Sequence, residues 1–289
     1  GFWQEYGALS TYFSSLYAVN EGWNMVSVPG NVADYRKTTV FPSAVSKAFA
    51  YTTGYVGKDT LAGGTGYWIK FGGSENLAIT NGPVTLDSID VVAGWNIIGS
   101  ISDPLSTLSV VEIPPGIVST SYFGYDNGYY TATTIEPGKA YWVKASAGGK
   151  LVLNYSPVAV PSTKAGTPIA GNLNELTIET QQGSVAEGRP LKLLFGPETP
   201  EAEPDRYEMP PPAPTGGTDV RFETNRFAEF FSSRDGGTKE VPISWEAFKT
   251  SQQGKREAIG QQVGERAKVT QDRLSIIETY GDFDAGTYN

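Results

Sequence analysis

The sequence predicts an all-β fold: two tandem β-rich repeats of 72–74 residues, then a β-sandwich-like domain, then a polar C-terminal arm. Three observations predict it. Aromatic and glycine landmarks recur at a near-constant offset. Gly (34 residues), Pro (19) and aromatic residues (12%) are abundant together, a mixture that suits short strands joined by tight turns. Short apolar runs are closed by turn residues rather than spaced for helices.

Residues 1–15 form an aromatic N-terminal arm carrying Phe2, Trp3, Tyr6, Leu9, Tyr12 and Phe13, with Leu16 beyond it. So much apolar surface seldom stays in water, so Phe2, Trp3 and Tyr6 are candidate assembly residues. The first repeat is placed at 16–86 and the second at 87–156. Gly22-Trp23-Asn24-Met25-Val26 returns as Gly94-Trp95-Asn96-Ile97-Ile98 at an offset of 72. Phe49-Ala50-Tyr51 with Gly54-Tyr55 returns as Phe123-Gly124-Tyr125 with Gly128-Tyr129, and Tyr67-Trp68-Ile69-Lys70 as Tyr141-Trp142-Val143-Lys144, both at 74. Landmarks in constant order over such a period mark a duplicated structural unit.

Exposed Trp and Tyr rings also stack on sugars. The recurrence of Trp23, Trp68, Trp95 and Trp142 beside β-branched neighbours favours core packing for these four. A candidate contact surface is Tyr122-Phe123-Gly124-Tyr125-Asp126-Asn127-Gly128-Tyr129-Tyr130. Asn-Gly is a hairpin signal that explains the turn, whereas the density of tyrosines points to binding or assembly through Tyr122, Tyr125, Tyr129 and Tyr130.

Residues 157–172 are rich in Pro, Ser, Thr, Ala and Gly, as a linker is. The domain at 173–245 follows, with strands expected at Leu176-Thr177-Ile178, Leu191–Gly196, Asp219–Phe222 and Val241–Trp245. Tyr207-Glu208-Met209-Pro210-Pro211-Pro212-Ala213-Pro214 lacks ladder donors and reads as an extended polyproline segment, either a covering strap or a partner ligand. In the arm at 246–289 the spacing of Ile259, Val263, Leu274 and Ile277 partly fits a helix, while Gly254, Gly260 and Gly264 weaken one by about 1 kcal/mol each. The arm is expected to be helical or irregular.

Composition narrows the chemistry. The chain has no His and no Cys, which excludes Ser-His-Asp and Cys-His catalysis, disulfides and thiolate metal sites. A carboxylate enzyme would need two acids held rigidly, and the densest acidic run, Glu198 to Asp205, lies in Pro-rich chain. No twelve-residue calcium loop surrounds Asp126-Asn127-Gly128 or Asp282-Phe283-Asp284, and Gly63-Gly64-Thr65-Gly66 leads into a strand rather than a helix. No metal, cofactor or enzymatic activity is expected. A net charge of −9 disfavours nucleic acid, and no apolar run approaches the ~20 residues of a membrane helix. A first residue of Gly1 rather than Met is expected of a processed product or a piece of a longer chain.

The two Gly-Trp-Asn and Tyr-Trp-φ-Lys units, the Pro114-Pro115-Gly116-Ile117 turn, Leu194-Phe195-Gly196, Tyr207-Glu208-Met209-Pro210-Pro211 and Asp219-Val220-Arg221-Phe222 give the chain a resemblance. Over roughly residues 15–245 it resembles the C-terminal repeat region of extracellular or surface proteins of Bacteroidota-related bacteria exported by the type IX secretion pathway. The resemblance implies an exported protein and carries over no catalytic residue. It departs at 246–280, where such proteins commonly have a β-rich sorting domain. The expectation is a non-enzymatic extracellular structural protein, a filament subunit or adhesin-like stalk, self-associating or binding other surface proteins through strand-edge contacts of its terminal segments. The alternative is a carbohydrate-binding accessory region of a larger secreted enzyme, with glycans as partners.

Overall fold

The computed structural model describes residues 12–156, 173–178, 181–182, 185–186, 191–197, 203–215, 217–231, 238–246, 267–270 and 273–279. Phe2, Trp3 and Tyr6 of the N-terminal arm and the linker at 157–172 lie outside the described residues. The fold is all-β: among the described residues, helix amounts to one α-turn and two 3-10 turns.

The first copy contains β1 (Phe13–Val19), β2 (Gly22–Ser27), the helical turn α1 (Lys37–Val40), β3 (Ala48–Tyr51), β4 (Tyr55–Lys58), β5 (Gly66–Phe71) and β6 (Glu75–Asn81). The second contains β7 (Leu86–Val91), β8 (Gly94–Ile98), β9 (Leu105–Ser106), β10 (Val111–Ile113), β11 (Tyr122–Tyr125), β12 (Tyr129–Ala132), β13 (Thr134–Ile135), β14 (Tyr141–Ala145) and β15 (Gly149–Asn154). Strand pairing repeats with the sequence. β2 pairs antiparallel with β5, setting Met25 opposite Trp68, and β8 pairs with β14, setting Ile97 opposite Trp142. β1 pairs with β6 as β7 pairs with β15. The repeat therefore starts at Phe13, not at residue 16: Phe13 to Ser15 belong to a ladder rather than to an arm.

The Gly-Trp-Asn signature is a structural device in both copies. Gly22 and Gly94 sit at φ +88° and +97°, a region L side chains rarely occupy. The Asn two residues on then closes the turn. Asn24 Nδ2 donates to the carbonyls of Asn20 (2.8 Å) and Gly22 (3.1 Å), while its Oδ1 accepts from Asn20 N–H. Asn96 makes the same three bonds with Val92 and Gly94. Backbone groups at the strand entry are thus satisfied by a side chain where no ladder partner exists. Tyr67 and Tyr141 repeat each other too, each hydroxyl accepting from a backbone N–H five residues upstream, at Ala62 and Glu136. Burial pushes the Tyr67 phenol upward from its ordinary pKa.

The two copies pack against each other with exchanged roles. Ser27 N–H donates to Gly138 O (2.9 Å) and Gly99 N–H donates to Gly64 O (2.8 Å). The offsets make Ser27 the counterpart of Gly99 and Gly64 that of Gly138. The bridges Val26–Lys139 and Thr65–Ile98 are likewise one bridge made twice. Such reciprocity defines an isologous, two-fold interface, here within one chain. Its centre is asymmetric where the sequences differ. Ser27 Oγ donates to Lys139 O, Ser100 Oγ lies 2.9 Å from Ser27 Oγ, and Gly138 N–H donates to Ser100 Oγ. Trp68 and Trp142 are fully buried, and Trp23 and Trp95 are half-buried against them at 6.4 and 6.1 Å in edge-to-face geometry.

The chain divides into two compact units, Gly1–Ile117 with Ala132–Lys164, and Val118–Thr131 with Ala165–Asn289. The β11–β12 hairpin, part of the second copy by sequence, thus packs within the C-terminal unit. That unit continues with β16 (Asn174–Ile178), β17 (Gln181–Gln182), β18 (Val185–Ala186), β19 (Leu191–Pro197), β20 (Asp219–Phe222), β21 (Ala228–Phe231), β22 (Thr238–Glu246), β23 (Ala267–Thr270) and β24 (Arg273–Thr279). One sheet has the order β16-β19-β21, its last pair parallel, and another β20-β22-β24-β23. All four strands expected after residue 173 form. The C-terminal arm, expected to be helical or irregular, forms ladder strands where it is described: β23 and β24 pair with each other and β24 pairs with β22 over Arg273–Thr279, while Ile259 and Val263 lie outside the described residues. The physical reason lies in Val269-Thr270 and Leu274-Ser275-Ile276-Ile277-Glu278-Thr279, rich in β-branched residues, once the upstream glycines have weakened a helix.

Candidate functional site

The shifted acids among the described residues, Asp34 and Glu175, sit in ion pairs near the surface. Arg36 donates to Asp34 Oδ2 from Nε (2.8 Å) and a terminal nitrogen (2.5 Å), and Thr39 Oγ1 also donates to it. These bonds, the arginine first, hold the exposed carboxyl well below the usual carboxylate range. Lys192, at 2.8 Å, likewise lowers Glu175. No group of three potential metal ligands occurs among the described residues.

The tyrosine-rich hairpin of the second copy does not form the contact surface expected of it. Tyr122, Tyr125 and Tyr129 are at most 8% exposed, and Tyr130 lies over Gly124, where an added Cβ would meet its ring at 2.4 Å. The sequence could not show what covers them. A 3-10 turn at Pro204–Tyr207 leads into an extended run, Glu208–Pro214, in which Met209, Pro210 and Ala213 are buried. Tyr129 Oη donates to Pro211 O (2.7 Å), and Tyr125 Oη accepts from Thr218 N–H (2.7 Å). Burial raises the Tyr125 phenol far above the ordinary tyrosine range. The Pro-rich run is thus a strap over the hairpin. A buried ion pair secures it: Arg221 donates to both oxygens of Asp219 and to Pro210 O (2.8 Å), and Asp219 Oδ2 accepts from Ala213 N–H. Leu191 closes the turn, its Cδ2 lying 2.0 Å from where a Cβ on Gly128 would stand.

The first copy holds the same hairpin with more of it exposed. Tyr51 and Tyr55 correspond to Tyr125 and Tyr129, and each pair has its ring centroids 5.4 Å apart in edge-to-face geometry. The turns match as well, with Thr52 N–H donating to Gly54 O and Asp126 N–H to Gly128 O. Exposure differs. Tyr55 is 36% and Val56 41% exposed, every residue of β4 is exposed, and nothing lies within 4 Å of a Cβ built on Gly54. Tyr51 packs edge-on against Trp142, 4.7 Å between centroids, and Tyr55 does so at 6.5 Å, which sets the pair on a rigid base. Sequence reasoning passed over Tyr51 and Tyr55 as repeat landmarks. The signal was present in their alignment with Tyr125 and Tyr129.

A second difference concerns sheet edges. β15 lies between β7 and β10, with Val111–Ile113 pairing along Lys150–Val152. Its counterpart β6 has only β1 among the described residues. The offset of 74 places the corresponding stretch at Asn76–Ala78, and where the second copy has β10 the first has α1. β1 also presents Phe13 and Leu16 to solvent, the latter 70% exposed.

Comparisons with protein-family models, with curated proteins and with solved structures find no match to this chain.

Proposed function

We propose that this chain is a non-catalytic structural protein of the extracellular space or cell surface, a filament subunit or adhesin-like stalk that assembles by strand addition. The supporting observation is the edge of β6 at Asn76–Ala78, which lacks among the described residues the third strand that β10 supplies to β15. An open edge offers a row of backbone N–H and C=O groups, and an incoming extended segment gains main-chain hydrogen bonds there. The donor in this reading is the aromatic segment Gly1–Thr11 of a neighbouring chain, whose Phe2, Trp3 and Tyr6 supply apolar surface. A contact between unlike surfaces repeats head to tail and gives an open fibre. The exported location is what the resemblance to type IX-exported proteins implies.

The test is negative-stain microscopy and sedimentation of the chain with and without residues 1–11, plus surface labelling of intact cells. Fibres that vanish on truncation, and on Ala78→Pro at the edge, support the proposal. Monomers under every condition overturn it.

A further inference from the structure

We infer that two molecules of this chain exchange repeat copies about Pro83, the first copy of each closing on the second copy of the other. The partner is a second copy of this chain, and the surface is the seam between the two repeats. This goes beyond strand addition at β6 and does not rest on it.

Every bond of the seam runs from one copy to the other. Ser27 N–H donates to Gly138 O, Gly99 N–H donates to Gly64 O, and Ser27 Oγ donates to Lys139 O. The ring contact at 4.7 Å sets Tyr51 of the first copy on Trp142 of the second. None of these contacts requires the two copies to belong to one molecule. An exchanged pair therefore remakes the whole seam without any new complementary surface, and only the hinge and the protein concentration decide between the two forms.

The hinge is one residue long. Gly82 and Asn31 share two backbone bonds, of 2.7 and 2.9 Å, which fix Gly82 to the first copy. On the far side, Val84 N–H donates to Ser102 Oγ (2.8 Å), Ser102 N–H donates to Val84 O (2.9 Å), and Tyr155 N–H donates to Thr85 O (2.8 Å), which fix Val84 and Thr85 to the second copy. Pro83 stands between them, exposed and with no N–H to donate. Rotation at Gly82 and Pro83 thus carries one copy away from the other while the anchored pieces keep their bonds. The bond from Ser102 Oγ to Pro29 O crosses the seam beside the hinge and is remade with the rest. Short hinge loops favour exchange because they have little slack with which to close back.

The experiment uses the full chain, whose lack of Cys leaves an introduced pair without competitors. Ser27 Oγ and Ser100 Oγ lie 2.9 Å apart across the seam, both buried, a separation that a disulfide closes with small shifts. In the double variant Ser27→Cys, Ser100→Cys, oxidised glutathione joins the two positions within one chain in the closed molecule and between chains in the exchanged one. After warming to just below the unfolding transition, a sample at about 10 μM should run almost wholly as monomer on a denaturing gel without reductant, and one at about 1 mM should run about half as covalent dimer, since a tether this short holds the copies at millimolar effective concentration. A second readout needs no cysteine. Deleting Pro83 brings the anchored Gly82 and Val84 into direct sequence, too short for both to keep their bonds in the closed form, so sedimentation should show dimers at a concentration at least about tenfold lower than for the unaltered chain. Bonding within the chain alone at both concentrations, or a Pro83 deletion that stays monomeric, would overturn the inference. So would covalent dimers that form equally with Ser27→Cys alone, or that disappear when residues 1–11 are removed, because those would come from chance collisions or from strand addition.

Discussion

The first and second copies of the repeat share a frame and differ in what lies over it. In the second, β15 has a strand on each side and the tyrosine pair is roofed by a strap. In the first, β6 has one partner among the described residues and Tyr55 of the pair is 36% exposed. The shared features are those that hold the fold: the Gly-Trp-Asn turn, the inner Trp, the buried Tyr hydroxyl. The features that differ are edges and faces, where a partner would act.

The comparison can be broken most directly at its shared centre. Trp68→Ala and Trp142→Ala should each cost about 3–5 kcal/mol of unfolding free energy, as removal of a fully buried aromatic does. Urea denaturation of both variants checks it, and a cost for one less than half that for the other would deny that the copies are equivalent. The strap is next. Arg221→Ala strands the buried carboxylate of Asp219, whose side chain is 8% exposed beside an arginine at 7%, and should cost about 3–5 kcal/mol within the C-terminal unit. Heat capacity scans should show that transition move while the transition of the other unit stays. At the interface between copies, Gly66 faces Ala140, its own counterpart, with Ile97 and Ala140 at 2.2 and 2.6 Å from a built Cβ. Gly66→Ala should therefore cost about 1–3 kcal/mol through overpacking, while Ala140→Gly should cost about 1 kcal/mol or less, mainly through added backbone freedom. Equal costs would deny that one methyl already fills the axis.

A smaller effect sharpens the comparison at the strap. Burial raises the Tyr125 phenol above its unfolded value of 10.0, so the unfolded chain loses its proton first as pH rises. The stabilisation is whole below pH ~10 and falls above it by about 1.4 kcal/mol per pH unit for each such group. Tyr67, raised by burial too, adds to the same window. Tyr125→Phe should flatten the alkaline slope of stability by roughly one group's share, measured by denaturant titration from pH 9 to 11.5. An unchanged slope would mean that the strap does not keep that hydroxyl dry.

Much of the framework could be read from the residues. The repeat, the strands at Gly22, Gly66, Gly94 and Tyr141, and the burial of Trp68 and Trp142 follow from patterns confined to one segment or one offset. What covers the hairpin was not legible, because the strap arrives from about eighty residues away and nothing near Tyr129 encodes Pro211. Dense tyrosines read equally as a surface or as an interior. The strand at Arg273–Thr279 was missed for a related reason: its ladder partner β22 lies some thirty residues upstream, and spacing within the arm alone favours no structure. In the described strands the boundary error at Phe13 is of the same kind, since β1 is defined by its pairing with β6.

The exchanged bonds from Ser27 to Gly138 and from Gly99 to Gly64 have a consequence for evolution and for engineering. A half-chain carrying one repeat would bear both members of a self-complementary pair, so it is a protomer, and the stretch from Gly82 to Thr85 is the tether between two protomers. A tether of that length keeps the halves at millimolar effective concentration. It also frees each from having to resemble the other, which a dimer of identical chains never allows. The first half can then gain a partner that the second has no room for, at no cost to the seam that joins them.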